Sequence, residues 1–285
     1  EAQKLDISDE SVRRRILQMR VDLTRRAERW KDLAEAIGLL AAEIPESEKE
    51  RRIDLYLEQG ELYETRLSDG VSAVAAFRKA RTADLSSRDA LQALEHALRR
   101  HANWNDLTTL LDEKAELLEK AGDAAGALSA RRDAAQLCNE HANDRKQAVK
   151  RWESVRAASP TDLEALRALE KLYSHEGSTS DSYFEVLNAL ADNVPSEKER
   201  LSFYRRLYAE YEEMPGHTAQ AESCLQKILQ IDPAAEDAYR GLERLYHKDR
   251  RFPALVEIYN RHIEQLGKHS QGGDASRVDL LSALA

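Results

Sequence analysis

The residues best placed to do chemistry in this chain are cations that recur. His96, Arg99 and Arg100 are followed about 75 residues later by Arg167, Lys171 and His175, and about 73 residues after that by Arg240, Arg244, His247 and Lys248. Spacings of three and four place each set on one side of a helix, opposite its leucines. The chemistry of such a face is attraction of carboxylates. Other chemistries find no support. There is no phosphate-binding glycine loop, no His-Glu-x-x-His pattern, no dinucleotide fingerprint and no Gly-x-Ser-x-Gly elbow. His96 and His101 stand five apart, a poor spacing for joint metal ligation from one helix face. The sequence thus assigns no catalytic residue, no cofactor and no metal, and reads the ten cations as partner-binding. Tyr56, Tyr63, Trp104, Trp152, Tyr204, Tyr211, Phe252 and Tyr259 could stack on nucleic-acid bases. All eight fall in apolar stripes and are expected in the core instead.

Composition sets the frame for those residues. Gly and Pro are scarce, 11 and 6 in 285 residues, while Ala, Leu, Glu and Arg dominate, which favours helices throughout. A net charge of -9 argues against a general nucleic-acid binder and leaves room only for local basic patches. Cys138 and Cys224 lie too far apart for a zinc motif or a disulfide framework, and read as buried small apolar residues. No run approaches the ~20 apolar residues of a membrane span; Ala36 to Ile44 is the nearest, and it carries Glu43. Glu1 to Asp9 show neither an initiator Met nor a signal-peptide pattern, so the numbering is expected to start inside a longer protein, with a cytoplasmic location expected.

Self-similarity supplies the positioning elements. Asp89-Ala-Leu-Gln-Ala-Leu-Glu95 returns as Glu164-Ala-Leu-Arg-Ala-Leu-Glu170 and as Asp237-Ala-Tyr-Arg-Gly-Leu-Glu243. Ser47-Glu-Lys-Glu-Arg51 recurs identically at Ser196 to Arg200, 149 residues on, twice the same period. Each period divides into two helical hairpins. One type carries Leu91, Leu94 and Leu98, a polar break at His101 to Asn103, then Trp104, Leu107 and Leu111. The other carries Tyr56, Gly60 and Tyr63, then Ala73, Phe77 and Ala80, its small residues letting paired helices approach closely. Ser47 with Glu50, Thr161 with Glu164 and Ser196 with Glu199 fit the Ser/Thr-x-x-Glu capping box, and Pro253 sits where a first-turn proline is tolerated.

On these residues the chain resembles the tetratricopeptide-repeat family, in its bacterial multi-repeat scaffold form: a leucine, a small residue and a tyrosine, then an aromatic, alanines around a bulky apolar residue, and a closing proline such as Pro160 or Pro233. The resemblance covers about 13 to 266 in seven units starting near 13, 48, 88, 123, 162, 197 and 235. An extension precedes them at 1–12, and 267–285 reads as a linker plus one capping or truncated next-repeat helix, with Val278 and Leu281 three periods beyond Ile53 and Tyr56. Departures are Glu95, Glu170 and Glu243, which stand where the family places a small residue. The resemblance implies an all-α, right-handed superhelical solenoid whose concave face is lined by the first helix of each hairpin. It further implies a non-catalytic scaffold holding a protein or peptide segment, here an acidic one, with no membrane insertion and with self-association through the solenoid ends open to it. Helical-repeat RNA binding and an accessory domain of a larger enzyme are the alternatives.

Overall fold

The computed structural model describes residues 10–141, 144–174 and 180–268. Val278, Leu281 and the rest of the expected final helix lie outside the described residues, as does His175. Among the described residues there are fourteen α-helices and no strand, with one 3-10 turn at Glu46–Glu48. None of these helices is long and apolar enough to cross a membrane. The chain divides into two compact units, residues 1–148 and 149–285.

The first unit contains α1 (Glu10–Arg26), α2 (Trp30–Glu43), α3 (Lys49–Thr65), α4 (Gly70–Ala83), α5 (Arg88–Arg100), α6 (Trp104–Lys120) and α7 (Ala124–His141), each helix packing on the next. The division falls within α8 (Arg145–Ala158). The second unit continues with α9 (Leu163–Ser174), α10 (Asp181–Asn193), α11 (Glu197–Glu213), α12 (Thr218–Ile231), α13 (Glu236–Lys248) and α14 (Phe252–Lys268). Its core joins Tyr183, Leu187, Tyr204, Leu207, Leu225 and Leu242, contributed by the four successive helices α10 to α13. In the first unit Val74, Phe77, Leu94, Leu98, Leu107 and Leu111 form the corresponding centre. Both units are therefore stacks of helical hairpins, in which each hairpin buries an apolar stripe against its neighbours.

Four of the turns between successive helices share a single device. Arg29, Asn103, Asp123 and Arg251 each donate a backbone N–H to the carbonyl five residues back, at 2.9 to 3.0 Å. The residue just before each donor, Glu28, Ala102, Gly122 or Arg250, has positive φ. This is the Schellman closure, which ends one helix and hands the next residue directly to the start of the following one. Gly60 serves packing instead, because the Phe77 ring of α4 occupies the space that a Cβ there would need.

Helix starts are only partly as the sequence suggests. Ser196 does cap α11, accepting from the Glu199 N–H at 3.4 Å, but the Glu199 carboxylate turns away to Arg167 rather than closing the box. Ser47 lies inside the 3-10 turn and α3 starts after Glu48 with no side-chain cap. Thr161 is displaced by its neighbour: Asp162 accepts from the Ala165 N–H at 2.9 Å. Asp69, Asp123 and Asp144 cap α4, α7 and α8 in the same way.

The expected core aromatics hold with one correction. Tyr56, Trp152, Tyr204, Tyr211 and Tyr259 are buried, and Tyr63 and Trp104 half-buried, so none of these presents an open ring for base stacking. Phe252 is 57% exposed. It opens α14 as Trp30 opens α2 and Trp104 opens α6, and those two are covered by the hairpin that follows. Arg66 lies over Trp30 at 4.8 Å and His141 stacks on Trp104 at 4.2 Å. No hairpin follows α14 among the described residues. Cys138 and Cys224 are both buried.

Candidate partner-binding surface

The recurring cations sit on the first helices of three hairpins. In the first unit α5 presents His96, Arg99 and Arg100; in the second, α9 presents Arg167 and Lys171, and α13 presents Arg240, Arg244, His247 and Lys248. All of these side chains, His96 included, reach solvent. Most are not free charges, since acids of the same chain have reached them first. Arg99 pairs with Glu95 at 3.6 Å and Arg100 with Glu64 of α3 at 3.7 Å. Arg167 pairs with Glu199 of α11 at 3.0 Å, Arg244 with Glu212 of α11 at 3.3 Å, and Arg240 with Glu236 one turn back.

These pairs belong to a wider ladder. On first helices Arg205 grips Asp237 through Nε and Nη2 at 2.6 and 3.2 Å. On second helices Arg78 meets Asp106 at 2.8 Å, Arg156 meets Glu185 at 3.2 Å, and Lys227 meets Asp192 at 2.8 Å. Each rung joins residues about one hairpin apart.

The three glutamates that depart from the family pattern are explained by the same principle. Glu95 accepts from Lys114 Nζ at 2.8 Å, Glu170 from Arg206 at 2.6 Å, and Glu243 from the Tyr259 hydroxyl. A small residue in these places would leave those donors without their acceptors. Burial, reinforced by Glu243, pushes the Tyr259 hydroxyl up to about 12. Arg206, which is not among the ten cations, is a structural partner of Glu170 and Tyr183.

Within the second unit one part of the basic face is concave. A cleft of about 460 Å³ lies between α11, α12 and α13. Leu225 and Ile228 of α12 line it, as does Tyr208 of α11, and Arg205, Arg240 and Arg244 supply three guanidinium groups. Gly241 belongs to the same packing, since a Cβ there would come within 2.9 Å of Leu225. Arg244 Nη2 donates to the Tyr208 hydroxyl at 2.9 Å. Burial and the Glu212 carboxylate raise the Tyr208 hydroxyl above its ordinary range, so it stays protonated and neutral. Hydrogen bonding from Arg205 holds the Asp237 carboxyl below its usual range. The arrangement suits recognition of a carboxylate beside an apolar group.

Arg205, Tyr208, Leu225, Ile228, Glu236 and Asp237 are the parts of this cleft that are not among the ten cations. A search for opposite charges one hairpin apart would have found Arg205 and Asp237, because Arg205 to Asp237, Glu212 to Arg244 and Arg167 to Glu199 all span 32 residues.

No protein-family profile and no curated protein matches the chain. Among solved structures, a tetratricopeptide repeat protein from Parabacteroides merdae is similar at 17% identity and a TM-score of 0.33, over 81% of this chain and 97% of that one. The C-terminal part of a TPR repeat-containing protein from Cytophaga hutchinsonii gives 13% and 0.29, over 78% and 98%. A thermophilic TPR protein from Thermus thermophilus gives 16% and 0.26, over 65% and 94%.

Proposed function

We propose that this chain is a non-catalytic scaffold that docks a segment of a partner protein, and that an acidic residue of the segment is held in the cleft between α11, α12 and α13. The observation that carries this reading is the cleft itself: three guanidinium groups stand around an apolar floor, two of them balanced only by exposed carboxylates. Exposed ion pairs contribute about 0 to 1 kcal/mol. A partner carboxylate can therefore replace Glu236 or Glu212 at little cost. His96, Arg99 and Arg100 of the first unit, and Arg167, Lys171, His247 and Lys248 of the second, extend the same preference for acidic segments.

The test is affinity capture from the native cell with Arg240→Glu/Arg244→Glu beside a matched surface control, Arg88→Glu/Lys120→Glu. Loss of a partner with the first pair only, in a manner that added salt diminishes, supports the cleft. Equal capture by both variants removes it.

A further inference from the structure

The first helix carries two apolar faces, and only one is used. Leu17 and Val21 of α1 turn inward to Trp30, Leu33, Ile37 and Leu40. On the opposite side Val12, Ile16, Met19 and Leu23 are 41, 47, 51 and 65% exposed. Their spacings of four, three and four confine them to an arc of roughly 60° at 100° per residue. Scattered exposed apolar residues need no explanation, but four in one continuous stripe do.

The next hairpin shows what such a face is for. Superposing buried Val21 on buried Gly60 sets Ile16 on Leu55 and Leu23 on Leu62, a constant offset of 39. Leu55 and Leu62 of α3 pack against the Val21, Leu33, Ile37 and Leu40 cluster of the preceding hairpin. Between them Gln59 donates to the Ala34 carbonyl of α2 at 2.8 Å. The face that α3 lays on helix α2 is the face that α1 leaves open.

Charge specifies what would cover it. Six arginines and one acid, Asp22, occur in the stretch from Ser11 to Arg26, within a chain of net charge -9. Arg13, Arg14 and Arg25 are engaged by Glu43, Glu48 and Glu58. Arg15 and Arg26 on one side of the stripe, and Arg20 on the other, have no ion-pair partner among the described residues. A groove of about 470 Å³ runs along Ile16, Met19, Arg20 and Leu23 towards Asp32 at the start of α2.

We propose that the outer face of α1 binds an amphipathic helix of a partner protein, whose apolar stripe is flanked by Asp or Glu and which lies against α1 as α2 lies against α3. This surface is separate from the cleft beside α13 and stands without it.

The probe is a stapled helical peptide of about 18 residues with leucines at the same four-three-four spacing and glutamates on both flanks. A companion peptide carries lysines in place of the glutamates. Anisotropy titration against the full chain should show the glutamate peptide binding about tenfold or more tighter at low salt, with the difference shrinking as salt rises. Ile16→Asp/Leu23→Asp replaces exposed side chains, so helicity and thermal midpoint should hold, while glutamate-peptide affinity falls about tenfold or more. Arg240→Glu/Arg244→Glu should leave that affinity unchanged, which distinguishes failure here from failure of the cleft. Four outcomes overturn the proposal: no peptide binding; equal binding of both peptides; retention of binding in Ile16→Asp/Leu23→Asp; and, without peptide binding, flotation of the chain with phosphatidylserine vesicles or its dimerisation in sedimentation, abolished by the same variant.

Discussion

Single side chains in this protein are held by partners about one hairpin away. Glu170 is half-buried, and Arg206 reaches it from α11 while also touching the Tyr183 hydroxyl. Glu170→Ala strands a half-buried guanidinium and should cost about 1 to 3 kcal/mol in urea denaturation. Trp152 makes the contrasting case. Its ring is fully buried and its indole N–H has no acceptor among the described residues. Truncation to Ala should then cost about 3 to 5 kcal/mol, whereas Trp152→Phe should cost clearly less, since it removes the unsatisfied donor with part of the ring. A loss near 1 kcal/mol for the alanine variant would contradict the packing. Acid titration probes the carboxylates. Asp84 accepts from Ser86 and from Lys49, and Asp237 from Arg205, which depresses both carboxyls in the folded chain. A depressed folded value means stabilisation that is complete above the unfolded value of about 4 and lost as pH falls through the folded one. The thermal midpoint should decline below about pH 4, and Asp84→Asn/Asp237→Asn should flatten that decline. The sequence showed the cations and the three odd glutamates plainly. It did not show their partners, because pairing across 16 to 36 residues depends on which helix faces meet.

At the level of elements, apolar spacing made the alternation of helix and short break legible, as it did the full burial of five of the eight aromatics and the partial burial of Tyr63 and Trp104. Boundaries were less legible. Several caps are made by Asp rather than by the Ser/Thr-x-x-Glu pattern, and at the start of α9 two adjacent residues could each serve until Asp162 is seen to do so. Phe252 misled for a different reason: its type matches Trp30 and Trp104, but what buries those rings is the following hairpin. The Schellman turns give a test. Ala102 has φ 53, a conformation that costs an L-residue roughly 1 to 2 kcal/mol and costs glycine little. Glycine also loosens the unfolded chain, so Ala102→Gly should stabilise by only about 0.5 to 1 kcal/mol. Destabilisation on calorimetry would mean that the turn is held by something other than backbone closure.

For the molecule as a whole, two kinds of contact run from hairpin to hairpin, and their magnitudes decide which one stabilises. Ladder pairs such as Arg167 with Glu199 or Arg78 with Asp106 are exposed on both sides and worth about 0 to 1 kcal/mol each. Leu187 is fully buried in the core of the second unit, and Leu187→Ala should cost about 2 to 5 kcal/mol. Raising salt from about 0.05 to 0.5 M should accordingly move the thermal midpoint by only a few degrees. A large drop would give the ladder the stabilising part assigned here to the apolar stripes.

The neighbour-only packing of helices such as α10, α11 and α12 bears on mechanics. Each hairpin is fastened chiefly to the one before and the one after, and few contacts tie distant stretches of chain together. Tension applied along either unit would load these junctions in series, with no long-range clamp to share it. Stretched in an optical trap, such a unit should lengthen in a staircase of small steps, each about the length of one released hairpin, and should recoil through the same steps when relaxed.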